Sequence, residues 1–299
     1  MIKVNRSAVT IPDCLRTDIA SDGSSETQLA IDYFEGNDRK LGFTYKVYSR
    51  AEVKSRLKKL FNNKCGFCEI DYGGAASDVE HFRPKGRLDT IDERGKVKIS
   101  GDGYYWLGAD WSNLIYSCQH CNRGETHIHA GDFPDAENSL RVSGKRNLFP
   151  LIDESKRISR GNHINSEEPY RLLLDPCNDD PTLHLEFDNE GHISARKVGS
   201  SRSTKGRNSI EIYGLRRDPL NARRKTTATM LLYAVSILND ATSASLRALN
   251  DQSLRSKVID HISHIQHNFL ASHCPFLAMS RGIAVKNIGF ASLRKCLNR

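Results

Sequence analysis

Two Cys-x-x-Cys pairs, Cys65-Gly66-Phe67-Cys68 and Cys118-Gln119-His120-Cys121, carry the clearest chemical signal in this chain. Four thiolates in two such pairs suit a tetrahedral structural zinc ion, because each short loop lets two sulfurs reach one metal. Between the pairs stand Asp78-Val79-Glu80-His81-Phe82-Arg83-Pro84 and Asn113, and Asn122 follows the second pair directly. The zinc does not need these imidazole, carboxylate and amide groups. They read as a second, catalytic site built on the scaffold that the zinc holds. A thiol–disulfide redox centre is the competing use of Cys-x-x-Cys, but two matched pairs would be an extravagant way to build one. The other cysteines, Cys14, Cys177, Cys274 and Cys296, have no ligand spacing and read as buried free thiols.

Short elements must bring these residues together. Ser49 and Glu52 have the spacing of a capping box, and Val53, Leu57, Leu60 and Phe61 then recur on one helical face that leads to Cys65. Glycine-rich 71–76 reads as a loop, Val79 to Phe82 as a short strand and Leu114 to Tyr116 as a second strand. Residues 84–103 read as a surface excursion. A helix starting near Gln119 or Cys121 would present Asn122 at its start. Strand, strand and helix around one metal make a compact ββα unit. A weaker helical pattern surrounds Glu26 to Phe34.

After Pro150 the character changes. Leu172-Leu173-Leu174-Asp175-Pro176 is strand-like, and Leu185 to Ile193 reads as a hairpin around Gly191. Asp218-Pro219 predicts an N-cap and a helix to about Asn239, and a second long helix spans roughly 251–271. The expected fold class is α+β, with a zinc-stabilised core followed by a mostly helical C-terminal region. The expected organisation is an N-terminal segment (1–48), a core domain (49–150) and a C-terminal domain (151–299).

The chain has 299 residues and a formal charge of +8. Residues 1–150 hold 22 Lys and Arg against 21 Asp and Glu, whereas residues 151–299 hold 22 against 15. Ten basic side chains against two acidic ones fall between 196 and 225. Such a stretch suits a phosphate backbone through counterion release, or is a solvated face. No apolar run approaches the roughly 20 residues that span a bilayer. The start lacks the apolar region of a signal peptide, so the expectation is a cytoplasmic protein with no membrane contact.

Glu80-His81-Phe82-Arg83-Pro84, the later Asn113 and Cys118-Gln119-His120-Cys121-Asn122 together resemble the HNH endonuclease family. That family's pattern is an acidic residue and His, an apolar residue, any residue and Pro, then a middle Asn, then Cys-x-x-Cys with His or Asn. The resemblance covers residues 65–122 and implies a ββα-metal nuclease hydrolysing phosphodiester bonds. It makes His81 the general base, Glu80 and Asn122 the ligands of a catalytic Mg2+ or Mn2+, and Asn113 the group that orients the His81 segment. Neutral imidazole suits proton abstraction near neutral pH, and a hard cation with open positions suits phosphate oxygens. Adjacent strand residues point to opposite faces, so Glu80 and His81 can converge only at a bend, a bulge or a strand end.

Many relatives carry Lys where Glu125 stands here. His127 and His129 read as replacement ligands, as phosphate contacts or as a His-rich surface loop. Val79 to Lys85, Tyr105-Trp106-Leu107, Trp111 to Leu114, Asn147-Leu148-Phe149-Pro150, Leu174-Asp175-Pro176 and Asp179-Asp180-Pro181 extend the likeness to about residues 50–220. Over that range the chain is similar to the nuclease subunits (PtuB) of Septu-type anti-phage systems, which also occur with some retrons. An ATPase partner (PtuA) is implied by that resemblance alone. Arg83, Lys85, Arg202, Lys205, Arg207, Arg216, Arg217, Arg223, Arg224 and Lys225 are the expected nucleic-acid contacts, for DNA or RNA. The competing reading is a non-catalytic zinc-bearing module that binds nucleic acid or protein.

Overall fold

Val53, Leu57 and Leu60 recur every three or four residues, and in the computed structural model they form the buried face of one helix. Residues 1–20, 23–37, 39, 42–71, 76–91, 97–131, 137–248 and 251–297 are described. Helices α1 (Asp13–Thr17) and α2 (Glu26–Glu35) precede that helix, α3 (Ala51–Leu60). The Ser49/Glu52 capping box does not form. Arg50 takes the N-cap position without a side-chain bond, Ser49 Oγ donates to Lys46 O, and Glu52 accepts from Asp13 N. The loop at 72–75 lies outside the described residues.

Strand β1 (Ser77–His81) is followed by a hairpin of β2 (Leu88–Ile91) and β3 (Val97–Gly101), then by β4 (Leu114–Cys118) and the single-turn helix α4 (Gln119–Asn122). The surface excursion at 84–103 thus contains paired strands, with β3 exposed throughout. β1 pairs antiparallel with β4, Ser77 opposite Cys118 and His81 opposite Leu114. β4 is buried along its whole length, as a short unbroken apolar run permits. Asn122 closes α4 rather than opening it. A second hairpin, β5 (Glu125–His129) with β6 (Ser139–Ser143), follows directly.

The C-terminal half has β7 (Leu185–Phe187) paired with β8 (Ile193–Ala195) and β9 (Lys197–Val198) paired with β10 (Ser201–Arg202). Helices α5 (Thr204–Ile212), α6 (Asp218–Arg247), α7 (Gln252–Ile265), α8 (Leu277–Asn287) and α9 (Phe290–Leu297) complete it. Residues 172–176 are not a strand. Their backbone bonds go elsewhere: Leu172 N to Pro150 O, and Leu174 N to Ser209 Oγ. Asp218 is the first residue inside α6, with Arg217 as N-cap, and α6 runs past Asn239 to Arg247. Asn239 stays helical because its side chain is used sideways, donating to Asn287 O and accepting from Gly289 N.

One buried cluster links both halves, from Met1 through Phe67, Tyr116, Leu174 and Tyr213 to Cys296. Phe67, inside the first Cys-x-x-Cys loop, stacks on Tyr213 with ring centroids 4.0 Å apart. Mixed helices and small sheets make the class α+β. Among the described residues, no helix is long and apolar enough to cross a membrane.

Candidate functional site

The thiol cluster forms where three elements meet: the turn after α3, the end of β4, and α4. Gly66 N donates to Tyr116 O, and a Cβ on Gly66 would lie 2.8 Å from Phe61 and 2.9 Å from Ile115. Only glycine lets the first loop press this closely on β4. The sulfurs of Cys65, Cys68, Cys118 and Cys121 are all buried and lie within 4.8 Å of one another. Cys68 Sγ and Cys118 Sγ are 3.8 Å apart, about the edge of a tetrahedron with metal–sulfur bonds of about 2.3 Å. The donor set and its size therefore fit zinc.

A residue that the sequence reading placed on nucleic acid closes this cluster. Arg217 is 2% exposed. Its guanidinium donates to Cys121 Sγ at 3.4 Å, Cys68 Sγ at 3.5 Å and Cys118 Sγ at 3.7 Å. Four thiolates around a divalent ion leave a surplus of negative charge, and a buried cation offsets it without solvent. Arg224 is buried over the Phe187 and Phe276 rings and donates to Leu215 O. Arg216 is buried and donates to Ile193 O. Arg83 is buried between Glu167 and Glu168, at 2.9 and 2.6 Å. These four arginines face inward, which corrects their reading as phosphate contacts. A charge count cannot tell a buried arginine from an exposed one.

Lys85 lines the cleft that holds His81, and the other five expected basic contacts lie nearer the surface. Lys205 pairs with Asp179, Arg202 with Glu186, Arg223 with Asp71 and Lys225 with Glu190. Arg207 is exposed. None of these five lines the cleft that holds His81.

That cleft, of about 550 Å³, is lined by Glu80, His81 and Asn122, and also by Asp78, Lys85, Lys54, Arg123 and Arg146. Its geometry follows from β1 ending at His81, the strand end that convergence of Glu80 and His81 requires. Asn113 holds the turn that follows. Its amide donates to Arg83 O (2.9 Å) and Leu107 O (3.2 Å), and its Oδ1 accepts from Arg83 N (2.7 Å).

His81 Nε2 lies 2.9 Å from Gly108 O. A carbonyl only accepts, so Nε2 carries the proton and Nδ1 keeps its lone pair. Lys85 Nζ lies 3.4 Å from that Nδ1 and 4.3 Å over the Tyr48 ring, and the Tyr48 ring meets the imidazole edge-on at 4.5 Å. Burial, with the cation of Lys85, holds the His81 pKa well below its ordinary value, so the ring is neutral at pH 7.

Glu80 Oε1 accepts from Lys145 Nζ at 2.8 Å, and the same ammonium donates to His81 O at 2.7 Å. Lys145 is fully buried. Burial pushes the Glu80 pKa up against the pull of Lys145, and pushes the Lys145 pKa down against the pull of Glu80. Lys145 reaches the pair because Gly144 turns the chain at φ +117, where a Cβ would strike Arg123 O at 1.7 Å. The next two amides close α4: Lys145 N donates to Cys121 O and Arg146 N to Asn122 O. One segment thus satisfies the carbonyl end of the helix that bears a thiolate and Asn122.

A buried pair is costly to break, because one charge is left uncompensated. Lys145→Met is expected to lower the free energy of unfolding by about 3–5 kcal/mol, measured by chemical denaturation. Adding Glu80→Gln should recover part of the loss. An unfolding midpoint for Lys145→Met equal to the parent's would show that the pair does not hold this segment.

Asp78 was not singled out by sequence. It lies two residues before Glu80, on the same strand face, and accepts from Asn122 Nδ2 at 3.0 Å and from Arg123 at 3.1 and 3.0 Å. This commits the Asn122 NH2 group and leaves its amide oxygen as the available donor. Two carboxylates and one amide oxygen bordering one cleft suit a hard divalent cation. His127 and His129 lie on β5 rather than in a surface loop; neither lines the cleft, and His129 Nε2 meets Ser143 Oγ at 3.0 Å.

No protein-family model matches the chain. Over 270 residues it is 36% identical to Septu protein PtuB of Bacillus mycoides (strain KBAB4), a match covering 89% of this chain and 81% of that relative. The chain belongs to the Septu PtuB family. Septu protein PtuB of Bacillus thuringiensis is 22% identical over 255 residues, 84% of this chain and 75% of that protein. A further likeness, to Septu protein PtuA of the same B. mycoides strain, is 27% identity over 165 residues, 55% of this chain and 19% of PtuA. Membership of the family places the chain in Septu antiviral defence.

Proposed function

We propose that this chain is a metal-dependent HNH endonuclease, the nuclease component of a Septu or retron-associated complex that acts with a PtuA-type ATPase. The observation that carries this reading is the cleft itself. It gathers a neutral imidazole whose Nδ1 is unprotonated and faces Lys85, two carboxylates, an amide oxygen and several cations around one space large enough for a phosphodiester. His81 Nδ1 takes the proton of the attacking water, and the Gly108 carbonyl steadies the ring through Nε2–H as positive charge develops. Asn113 fixes the turn from which His81 projects. Lys54, Lys85 and Arg146 border the cleft and suit the phosphate backbone. Glu80, Asp78 and the Asn122 oxygen would hold Mg2+ or Mn2+, whose charge stabilises the phosphorane and the leaving alkoxide.

In this reading residues 49–150 carry the chemistry, and the later helices brace it through Arg217 and Tyr213. The PtuA partner is supported by a Septu PtuB and a Septu PtuA both coming from one Bacillus mycoides strain. The test incubates the purified chain, alone and with its PtuA-type partner, with end-labelled DNA and total RNA in Mg2+ or Mn2+. Metal-dependent internal cleavage of either polymer is expected. Binding that weakens with salt but yields no product in any arm would leave the non-catalytic zinc module in its place.

A further inference from the structure

The chain following Asn122 turns back on itself and brings a second donor cluster together, on the outer side of α4. His120 precedes Cys121 on α4, and Glu125 and His127 are alternate residues of β5, so their side chains share one strand face. His120 Nδ1 lies 2.5 Å from Glu125 Oε2, and His127 Nε2 lies 3.4 Å from the same oxygen. The two imidazole rings meet edge-on with centroids 5.2 Å apart. One donor atom from each of the three residues falls within 4.8 Å of the others.

Hydrogen bonding alone leaves this cluster incomplete. His127 Nε2 is shielded from solvent, yet it makes no hydrogen bond; Glu125 Oε2, at 3.4 Å, lies beyond the usual N–H···O distance of about 2.7–3.2 Å. A buried ring nitrogen without a partner is uncommon and costs free energy. An ion between the three residues would satisfy it and replace the short His120–Glu125 contact with a shared ligand.

We propose that His120, Glu125 and His127 form a second metal site, distinct from the thiolate cluster and from the His81 cleft, that takes a borderline transition-metal ion such as Zn2+. Two imidazoles and one carboxylate select zinc, cobalt, nickel or copper over Mg2+ and Ca2+, which prefer all-oxygen shells. Half-exposed His120 leaves room for water in the remaining position. None of the three residues lines the cleft. The ion would staple β5 to α4, the turn that holds Cys121 for the thiolate cluster and Asn122 for the cleft. Its effect on the cleft is therefore indirect, through the seat of Asn122.

The test loads the full-length protein with Co2+ and counts bound metal after gel filtration, in the parent and in Glu125→Gln/His127→Gln. With excess Mg2+ present to keep cobalt out of the His81 cleft, the parent is expected to hold two equivalents of cobalt. One shows sulfur-to-cobalt charge transfer from the thiolates, and the other shows only weak ligand-field absorption. The double variant should lose the second and keep the first. Added Zn2+ should also raise the melting temperature of the parent further than that of the variant. A parent with no cobalt beyond the sulfur-ligated ion would overturn the proposal. So would a second ion retained by the variant, which marks adventitious binding elsewhere. If the thiolate cluster proved metal-free, the sulfur band would be missing from both proteins while the variant-sensitive ion remained, so the two readings fail separately.

Discussion

Replacing His81 by alanine is expected to slow phosphodiester cleavage about 10²–10⁴-fold, the usual worth of a positioned general base. The loss should fall on kcat, because His81 Nδ1 faces the cleft while Lys54, Lys85 and Arg146, which border the same space, remain to bind substrate. Zinc content should not change, since no sulfur touches the imidazole. His81 is 4% exposed and its Nε2–H meets Gly108 O. Removing the ring strands a buried carbonyl, a cost of about 1–3 kcal/mol, so a modest fall in melting temperature belongs to the prediction. Rate and stability are measured on the same preparation. Cleavage at the parental rate would remove His81 from the chemistry and, with it, the present account of the cleft.

The parts of the site legible in sequence are those whose chemistry demands fixed residue types at short spacing. The two Cys-x-x-Cys pairs are of this kind, because a loop of two residues sets the distance between sulfurs whatever surrounds it. So is the run from Glu80 to Pro84, which lies at a strand end and of which Glu80, His81 and Pro84 line the cleft. Their supports arrive through tertiary folding. Lys145 meets Glu80 across 65 residues, and Arg217 meets Cys68 across 149. No local pattern announces a lysine that must be buried or an arginine aimed at sulfur. Where the resemblance led to an expected lysine after the second Cys-x-x-Cys pair, the chain has Glu125, which faces two histidines.

The fold shows the same division. Helical periodicity located α3 and α7, since burial of one stripe is a property of the segment itself. The apolar run 172–176 reads as a strand on composition, yet it lies buried as irregular chain. Leu174 N finds Ser209 Oγ, Leu174 O accepts from Tyr213 OH, and Asp175 caps the turn through Cys177 N. Side-chain partners from α5 and the residue after it take the place of a neighbouring strand. The capping box at Ser49 fails for a related reason: Glu52 is drawn to Asp13 N, 39 residues earlier.

Cys118→Ser tests the scaffold on which all of this depends. Structural zinc contributes about 10–16 kcal/mol of apparent binding free energy, whereas whole domains are stable by about 5–15 kcal/mol. Loss of one thiolate therefore threatens folding outright. Cys118 is the last residue of β4 and the N-cap of α4, and its backbone N–H already donates to Cys65 Sγ. A hydroxyl there is a poor zinc ligand. Arg217 would then face a weakened anionic cluster while remaining buried, an additional cost. The expected result is less than one sulfur-ligated metal per chain, loss of the near-ultraviolet signature of the packed core around Phe67 and Tyr213, and a protein that no longer cleaves. Cys177→Ser, at a half-buried thiol outside the cluster, should leave metal content unchanged and serves as the control. If Cys118→Ser kept its metal and its melting temperature, the four thiols would be ordinary core residues, and Asn122 would owe its place beside Asp78 to packing alone.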